Sequence, residues 1–275
     1  MPTSKQRRET ARRRLERQIQ RRQELAARRR RRNLVAAAAF GVVVVVGAVW
    51  LIIANVGGGD STASPTPTPS TSPTPTRPPK ATSGPCKYAE TSQTLSNPNA
   101  KDVGLPPDPS PTPAQGTVDL ALDTSAGAVT VQLDRAAAPC TTQSFVHLAG
   151  KKFFDGTRCH RLTTANIFVL QCGDPSGTGS GGPTYQIKDE NLPKAKYTRG
   201  VVAMANGGPN TNGSQFFIIY KDSTSLPKNY TVIGKVTAGL DVVDKVAKAG
   251  SDNKNGAGDG APKIPVTIRI ARIEQ

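Results

Sequence analysis

The stretch MANGGPNTNGSQFF, Met204–Phe217, decides how this chain is read. It opens on the apolar Met204 and Ala205 and closes on Phe216 and Phe217. Between them stand three glycines, three asparagines and Pro209, residues that cannot continue a strand but can hold an ordered turn. The predicted structure is therefore a strand, an irregular loop and a second strand. A long turn is the ordinary reading of such a loop. Its density of small residues and amides, Gln215 included, also suits a loop that presents backbone groups to an extended ligand.

Working outward from this loop, the texture on both sides is that of short strands. TVDLALDTSAGAVTVQLDR, 117–135, alternates apolar and polar residues around a Ser-Ala-Gly turn, a hairpin signature. Further strands are predicted near FFDGTRCHRL (153–162), IFVLQCGD (167–174), RGVVAMAN (199–206), QFFIIY (215–220), YTVIGKV (230–236) and VTIRIARI (266–273). Two helices interrupt them. One starts near Pro139 and ends at Gly150, with Phe145, Val146 and Leu148 as its apolar side. The other, GLDVVDKVAKAG, spaces Leu240, Val243 and Val246 helically before Gly250. Many short strands and two helices over residues 116–275 predict a mainly β domain, a small closed barrel with helices over its ends.

A second motif, CHRLTTANIFVLQCGD at 159–174, precedes the first. HR followed by F-x-x-Q-x-G-D, and then MANGGPNTNGSQFF, resembles the cyclophilins, a family of peptidyl-prolyl cis-trans isomerases. The resemblance covers roughly residues 116–275. It implies a closed eight-stranded antiparallel barrel capped by two α-helices, no cofactor, and proline-containing polypeptides as substrates. The arrangement of arm, apolar run, stalk and domain is similar to membrane-anchored actinobacterial cyclophilins. Rotation about an X–Pro bond faces an amide-resonance barrier of about 18–20 kcal/mol. A catalyst needs a dry pocket for the proline ring and a donor that favours the twisted amide over the planar one. By resemblance, Arg161 is that donor: its guanidinium stays protonated and donates in a fixed fork. Phe168, Val169, Phe217, Leu226 and Tyr230 match the family's apolar pocket. Gln171, Ala205, Asn206 and Gln215 match the positions that bind the peptide backbone.

The chain also departs from the family pattern. Two extra residues separate Arg161 from Phe168, and Val169 replaces a common methionine. Tyr230 stands where a histidine is usual, keeping an aromatic body and a polar tip. Ser225 stands where many members carry a cyclosporin-contacting tryptophan, which implies weak cyclosporin binding with activity retained. A non-catalytic module that holds proline-containing chains in the same groove is the alternative function.

The N-terminal part has a different character. Residues 1–33 carry 14 Lys+Arg against three acids, so +11 of the chain's formal +16 lies there. Leu34–Ala54 is 21 residues without a charge, roughly 31 Å as a helix against a bilayer core of about 30 Å. The run exceeds a signal-peptide core and has neither a small-x-small cleavage site nor a cysteine after it. The reading is an uncleaved transmembrane signal anchor, with the basic arm 1–33, Arg28–Arg32 included, cytoplasmic and the chain beyond the apolar run extracytoplasmic. Anionic lipid is the expected partner of the basic arm, and nucleic acid an unlikely one. Residues 55–84 are rich in Ser, Thr and Pro, a predicted disordered stalk. Residues 85–115 form an extension before the isomerase-like domain at 116–275.

Four cysteines, Cys86, Cys140, Cys159 and Cys172, lie outside the membrane in this reading. They allow three full pairings. Cys159 with Cys172 comes first, because they fall on strands expected to be neighbours; Cys86 with Cys140 would then pin the extension onto the barrel. Free buried thiols are the other possibility. His147 and His160, the only histidines, are too few for a zinc site, and His160 is expected to find a partner inside the barrel. No nucleophile elbow supports a hydrolase. Formal glycosylation sequons at Asn212 and Asn229 fall in the proposed groove, where a glycan would obstruct it, which favours a bacterial setting.

Overall fold

The structure is a computed structural model and describes residues 77–274. The basic arm, the apolar run 34–54 and the stalk up to residue 76 lie outside the described residues. Among the described residues no helix is long and apolar enough to cross a membrane.

Among the described residues thirteen strands occur in chain order: β1 (Ala89–Glu90), β2 (Ala100–Lys101), β3 (Thr117–Thr124), β4 (Gly127–Asp134), β5 (Arg161–Thr163), β6 (Val169–Cys172), β7 (Gly182–Pro183), β8 (Tyr185–Gln186), β9 (Val201–Met204), β10 (Phe216–Ile219), β11 (Val232–Ala238), β12 (Asp259–Gly260) and β13 (Ile268–Glu274). The helices are a single turn, α1 (Ser92–Leu95), then α2 (Pro139–Gly150) and α3 (Leu240–Ala249), with a 3₁₀ turn at Leu192–Lys194. Nine strands form one antiparallel curled sheet in the order β12-β5-β6-β10-β9-β11-β4-β3-β13.

The fold is mainly β, but the expected closed eight-stranded barrel is corrected to an open nine-stranded sheet. Its two ends meet only through the irregular segment before β5. There Arg158 bridges both Thr267 and Asp174 as an isolated residue, and the Cys159 amide donates to the Val266 carbonyl at 2.9 Å. FFDGTRCHRL forms a strand only at its end, because Gly156 turns at φ 76 and breaks the extended backbone. A regular ladder cannot cross that seam.

The core lies on the concave side of the sheet under α2 and α3. Phe145 packs on Phe154 and Phe216 with ring centres 5.4 and 5.8 Å apart, and Phe153 meets Phe154 at 5.5 Å. Alternation along the strands sends Leu120, Leu122, Val129, Val131, Leu162, Leu170, Val202, Met204 and Ile218 into it.

The N-terminus of α2 has Pro139 in its first turn and no side-chain cap of its own. Glu190 supplies one from a distant loop: its carboxylate accepts from the Cys140 and Thr141 amides at 3.1 and 2.9 Å and from the Thr141 hydroxyl at 2.6 Å. A carboxylate there satisfies orphan amides and complements the helix dipole. The helix ends after Gly150, and Lys152 rather than a glycine takes the positive φ of 53°. Gly239 opens α3 at φ 81°, and a Cβ there would lie 2.1 Å from the Ala128 carbonyl, so only glycine lets the helix start against β4.

The 85–115 extension is no separate body. Cys86 and Tyr88 belong to the main core, and the Tyr88 hydroxyl donates to the Cys140 carbonyl at 2.7 Å. Cys86 is disulfide-bonded to Cys140, and Cys159 to Cys172. The strands β1 and β2 pair with β8 and β7. Residues before 85 also make fixed contacts: Arg77 forms an ion pair with Glu90 and, at 3.1 Å, with Asp102. The Thr82 amide donates to the Tyr88 carbonyl at 2.9 Å. Residues 77–84 therefore depart from the expected disordered stalk, because their polar groups find fixed partners.

Candidate active site

The β5, β6, β10, β9 and β11 registers build the site. Arg161 pairs with Gln171, Gln171 with Phe217, Phe217 with Ala203 and Ala203 with Val232. Residues directly opposite share a sheet face, so this row lies together on the convex face, away from the core. FFII in β10 is buried at every position because both faces are covered: Phe216 and Ile218 point to the core, Phe217 and Ile219 to the outer side.

On that outer side Val169, Ala203, Phe217 and Ile219 form a second apolar cluster with Ala195 and Tyr197. Ala205, Leu226 and Tyr230 pack against it. The Phe217 and Tyr230 rings meet edge to face at 5.4 Å. Tyr197 fixes Tyr230 by donating from its hydroxyl to the Tyr230 carbonyl at 2.9 Å and accepting from the Tyr230 amide at 3.0 Å. Phe168 is set apart. It is half-buried, its ring 6.0 Å from Tyr220 and 4.6 Å from the Lys221 ammonium, and it does not pack on the outer cluster.

Beside the apolar cluster runs a polar chain. Arg161 donates from Nε and Nη2 to the two carboxylate oxygens of Asp259, at 2.8 and 2.6 Å. Its Nη1 reaches Gln171 Oε1 at 3.5 Å. Gln171 Nε2 donates to Gln215 Oε1 at 2.8 Å, and Gln215 Nε2 donates to the Gly179 and Gly181 carbonyls at 3.0 and 2.8 Å. The Ala205 amide donates to the Gln215 carbonyl at 2.9 Å. Asn206 Nδ2 donates to the Asn229 carbonyl at 2.9 Å, tying the central loop to the segment that carries Leu226 and Tyr230. The structure thus gathers Arg161, Gln171, Gln215, Phe217, Val169, Ala205, Leu226 and Tyr230 around one outer surface.

Asp259 is a functional candidate that sequence reasoning missed. It reaches β5 because β12 pairs with it, Asp259 opposite Thr163. Hydrogen bonding to Asp259 holds the Arg161 pKa above its ordinary value, and Arg161 holds the Asp259 carboxyl below the usual carboxylate range. The bidentate pair leaves the fork in one plane. Asp259→Asn is expected to lower kcat/KM for X–Pro isomerisation roughly tenfold by loosening that fork. The wild type should also lose activity in acid as Asp259 protonates below its depressed pKa, and the Asn variant should lack that limb. Matching acid limbs in a pH–rate profile would overturn the positioning role.

The histidines sit apart from this chemistry. Among the described residues neither buried ring nitrogen of His160 has a hydrogen-bond partner, correcting the expectation of one inside the barrel. Burial lowers the pKa of both His160 and His147. His147 Nε2 lies 3.2 Å from the Val103 carbonyl, on the extension. Among the described residues no cluster of metal-ligating side chains occurs. The Asn212 side chain is buried and donates to Asp189 at 2.8 Å, so it is inaccessible to a glycan in the folded state.

Comparison with known proteins places this geometry. The family description "Cyclophilin type peptidyl-prolyl cis-trans isomerase/CLD" matches residues 117–273. "Probable peptidyl-prolyl cis-trans isomerase B" of Mycobacterium leprae is 42% identical over 205 residues, 69% of this chain and 66% of that one. The Mycobacterium tuberculosis protein of the same name is 48% identical over 176 residues, 59% of this chain and 56% of that one. The match thus spans less than two thirds of either relative. Among solved structures, a Cryptosporidium parvum cyclophilin type peptidyl-prolyl cis-trans isomerase is similar at TM-score 0.52 and 28% identity, covering 58% of this chain and 99% of that one. The same enzyme in the presence of the dipeptide Ala-Pro is similar at TM-score 0.51 and 29% identity, covering 57% and 99%.

Proposed function

The chain belongs to the cyclophilin type peptidyl-prolyl cis-trans isomerase family, and from that premise we propose that it accelerates X–Pro bond rotation in exported polypeptides and so assists their folding. The observation that carries the reading is the Arg161 guanidinium, held flat by Asp259 in the same cross-strand row as Gln171 and Phe217. The proline ring sits on the apolar cluster of Phe217, Val169, Leu226 and Tyr230. Gln171, Ala205, Asn206 and Gln215 hold the peptide backbone. As the X–Pro amide twists, its nitrogen regains a lone pair, and an Nη1–H of Arg161, outside the two positions that Asp259 holds, donates to it. Donation to the twisted geometry alone lowers the barrier. X–Pro isomerisation takes tens to hundreds of seconds unaided, slow enough to limit folding.

The site faces outward on a membrane tether in this proposal. The uncharged run 34–54 behind Arg28–Arg32 supports it, as does the pairing of all four cysteines, which suits an oxidising compartment. The basic arm lies on anionic lipid. The test is exchange spectroscopy on a short X–Pro peptide with the full chain. Exchange well above the uncatalysed rate is expected. A folded chain that binds the peptide without speeding exchange would make it a non-catalytic binding module.

Cyclosporin binds weakly in this reading. Ser225 is exposed and donates to the Asn166 carbonyl at 2.8 Å, offering no indole for the drug. Titration should give an affinity no better than micromolar; a nanomolar dissociation constant would overturn the assignment of Ser225.

A further inference from the structure

Three Asn-Gly dipeptides occur in the chain: Asn206–Gly207, Asn212–Gly213 and Asn255–Gly256. An asparagine before glycine is prone to cyclise, because no side chain shields the following amide nitrogen. The structure separates the three. Asn212 is buried, and its side chain donates to Asp189 at 2.8 Å. Asn206 is half-buried, and its side chain donates to the Asn229 carbonyl at 2.9 Å. In the third pair both residues are exposed. We infer that Asn255–Gly256 is a spontaneous deamidation site, and that its aspartate and isoaspartate products loosen Asp259 from Arg161 and so slow the isomerase. The effect on turnover rests on the isomerase reading above.

The reaction consumes a water and releases an ammonia, with nothing oxidised or reduced. The Gly256 amide nitrogen attacks Asn255 Cγ, and the new N–C bond closes a succinimide ring. The Cγ–Nδ2 bond breaks, and Nδ2 leaves as ammonia with the proton of the Gly256 N–H. Water then opens the ring. Attack at Cγ leaves aspartate. Attack at the Asn255 main-chain carbonyl leaves isoaspartate, in which the chain runs through Cγ. Either product puts a carboxylate where an amide stood.

The turn itself exposes Asn255 to this chemistry. Gly256 stands at φ 131°, a conformation that side chains rarely adopt. The loop therefore demands the glycine that leaves Asn255 open to cyclisation. The Gly256 amide donates to the Asn253 carbonyl at 3.0 Å and must come free before it attacks. A hydrogen bond in so exposed a loop opens at little cost.

The same turn carries Asp259. The Asn255 amide donates to the Asp259 carbonyl at 3.1 Å, and the Asp259 amide donates to the Gly256 carbonyl at 3.0 Å. Asn255 Nδ2 reaches Asp259 Oδ1 at 3.4 Å, the oxygen that accepts from Arg161 Nε. Arg161 first, and this amide after it, hold the Asp259 carboxyl below the usual carboxylate range. A carboxylate at 255 replaces that donor with a like charge and repels Asp259. Isoaspartate also adds a main-chain carbon between the two hydrogen bonds that seat Asp259, which displaces it further.

The test ages the full chain in warm, mildly alkaline buffer and follows it by peptide mapping and by exchange of a short X–Pro peptide. Deamidation should appear first at Asn255, and kcat/KM should fall in step with it. Asn255→Asp carries the product's charge without ageing. Its kcat/KM should lie roughly fivefold below wild type, the scale of a partly exposed charge contact, with the melting temperature little changed. Its acid limb should lie at higher pH, because the added charge raises the Asp259 pKa. Asn255→Gln should hold its starting activity through the same ageing, since glutamine must close a larger ring, and closes it more slowly. Decay of activity with Asn255 intact, or in step with Asn206 instead, would overturn the inference. So would an Asn255→Gln chain that decays like the wild type, or an Asn255→Asp chain that matches it in rate and acid limb. A fresh wild-type chain without isomerase activity would count against the isomerase reading alone. The site would then be judged by mapping the aged chain and by the NMR signal of the Arg161 Nε–H, which must shift in Asn255→Asp.

Discussion

Arg161→Ala is expected to reduce kcat/KM for X–Pro isomerisation by about 100-fold or more, the usual effect of removing one preorganised donor aimed at the transition state. The loss should fall on kcat more than on KM, because the lone pair it addresses develops only as the amide twists. The apolar cluster centred on Phe217, proposed above as the proline seat, packs without the guanidinium. Stability should change little: the Arg161 and Asp259 side chains keep 37% and 26% of their exposure, and pairs so open to solvent contribute about 1 kcal/mol or less. Arg161→Lys keeps the charge but loses the planar fork that Asp259 holds at two points. It should recover only a minor part of the activity. Retention of near wild-type kcat by a folded Arg161→Ala chain would remove the arginine from the mechanism.

The second large effect is on stability. Cys86→Ala with Cys140→Ala opens a bridge between residues 54 apart, and the loop-entropy relation puts the loss at about 4 kcal/mol. The corresponding double variant of Cys159 and Cys172, 13 apart, should cost about 3 kcal/mol by the same relation. Denaturant midpoints without reductant would measure both. Against a typical total of about 5–15 kcal/mol, either is a large fraction. A loss below about 1 kcal/mol in the Cys86–Cys140 variant would mean that Tyr88, β1 and β2 hold the extension without the covalent link.

Much of the sheet was legible in the chain itself. Alternation in 117–135 predicts a hairpin, and β3 and β4 form it with Ser125 and Ala126 at the turn. Gly250 ends α3 where the pattern places its stop. These features rest on neighbours within a few residues, where side-chain period and turn chemistry act directly. The seam before β5 was not legible. CHRL alternates well enough for a strand, and only the turn at Gly156 and the bridges of Arg158 to two partners show why a ladder fails there.

The site divides in the same way. Its residue types and order were readable from the two motifs, since the spacing of Phe217 from Gln215, or of Gln171 from Arg161, is written in the chain. Their convergence needed the registers of β5, β6 and β10. Asp259 stands 98 residues from Arg161, Glu190 49 from Thr141 and Tyr197 33 from Tyr230. No local pattern marks an aspartate that will pair with an arginine so far away, because that contact forms only when β12 pairs with β5 at the edge of the sheet. By itself the sequence determined which chemistry the chain carries and which short segments turn, alternate or coil. The tertiary structure alone decided which side chains hold that chemistry in place, because long-range partners are selected by shape and register once the chain has folded.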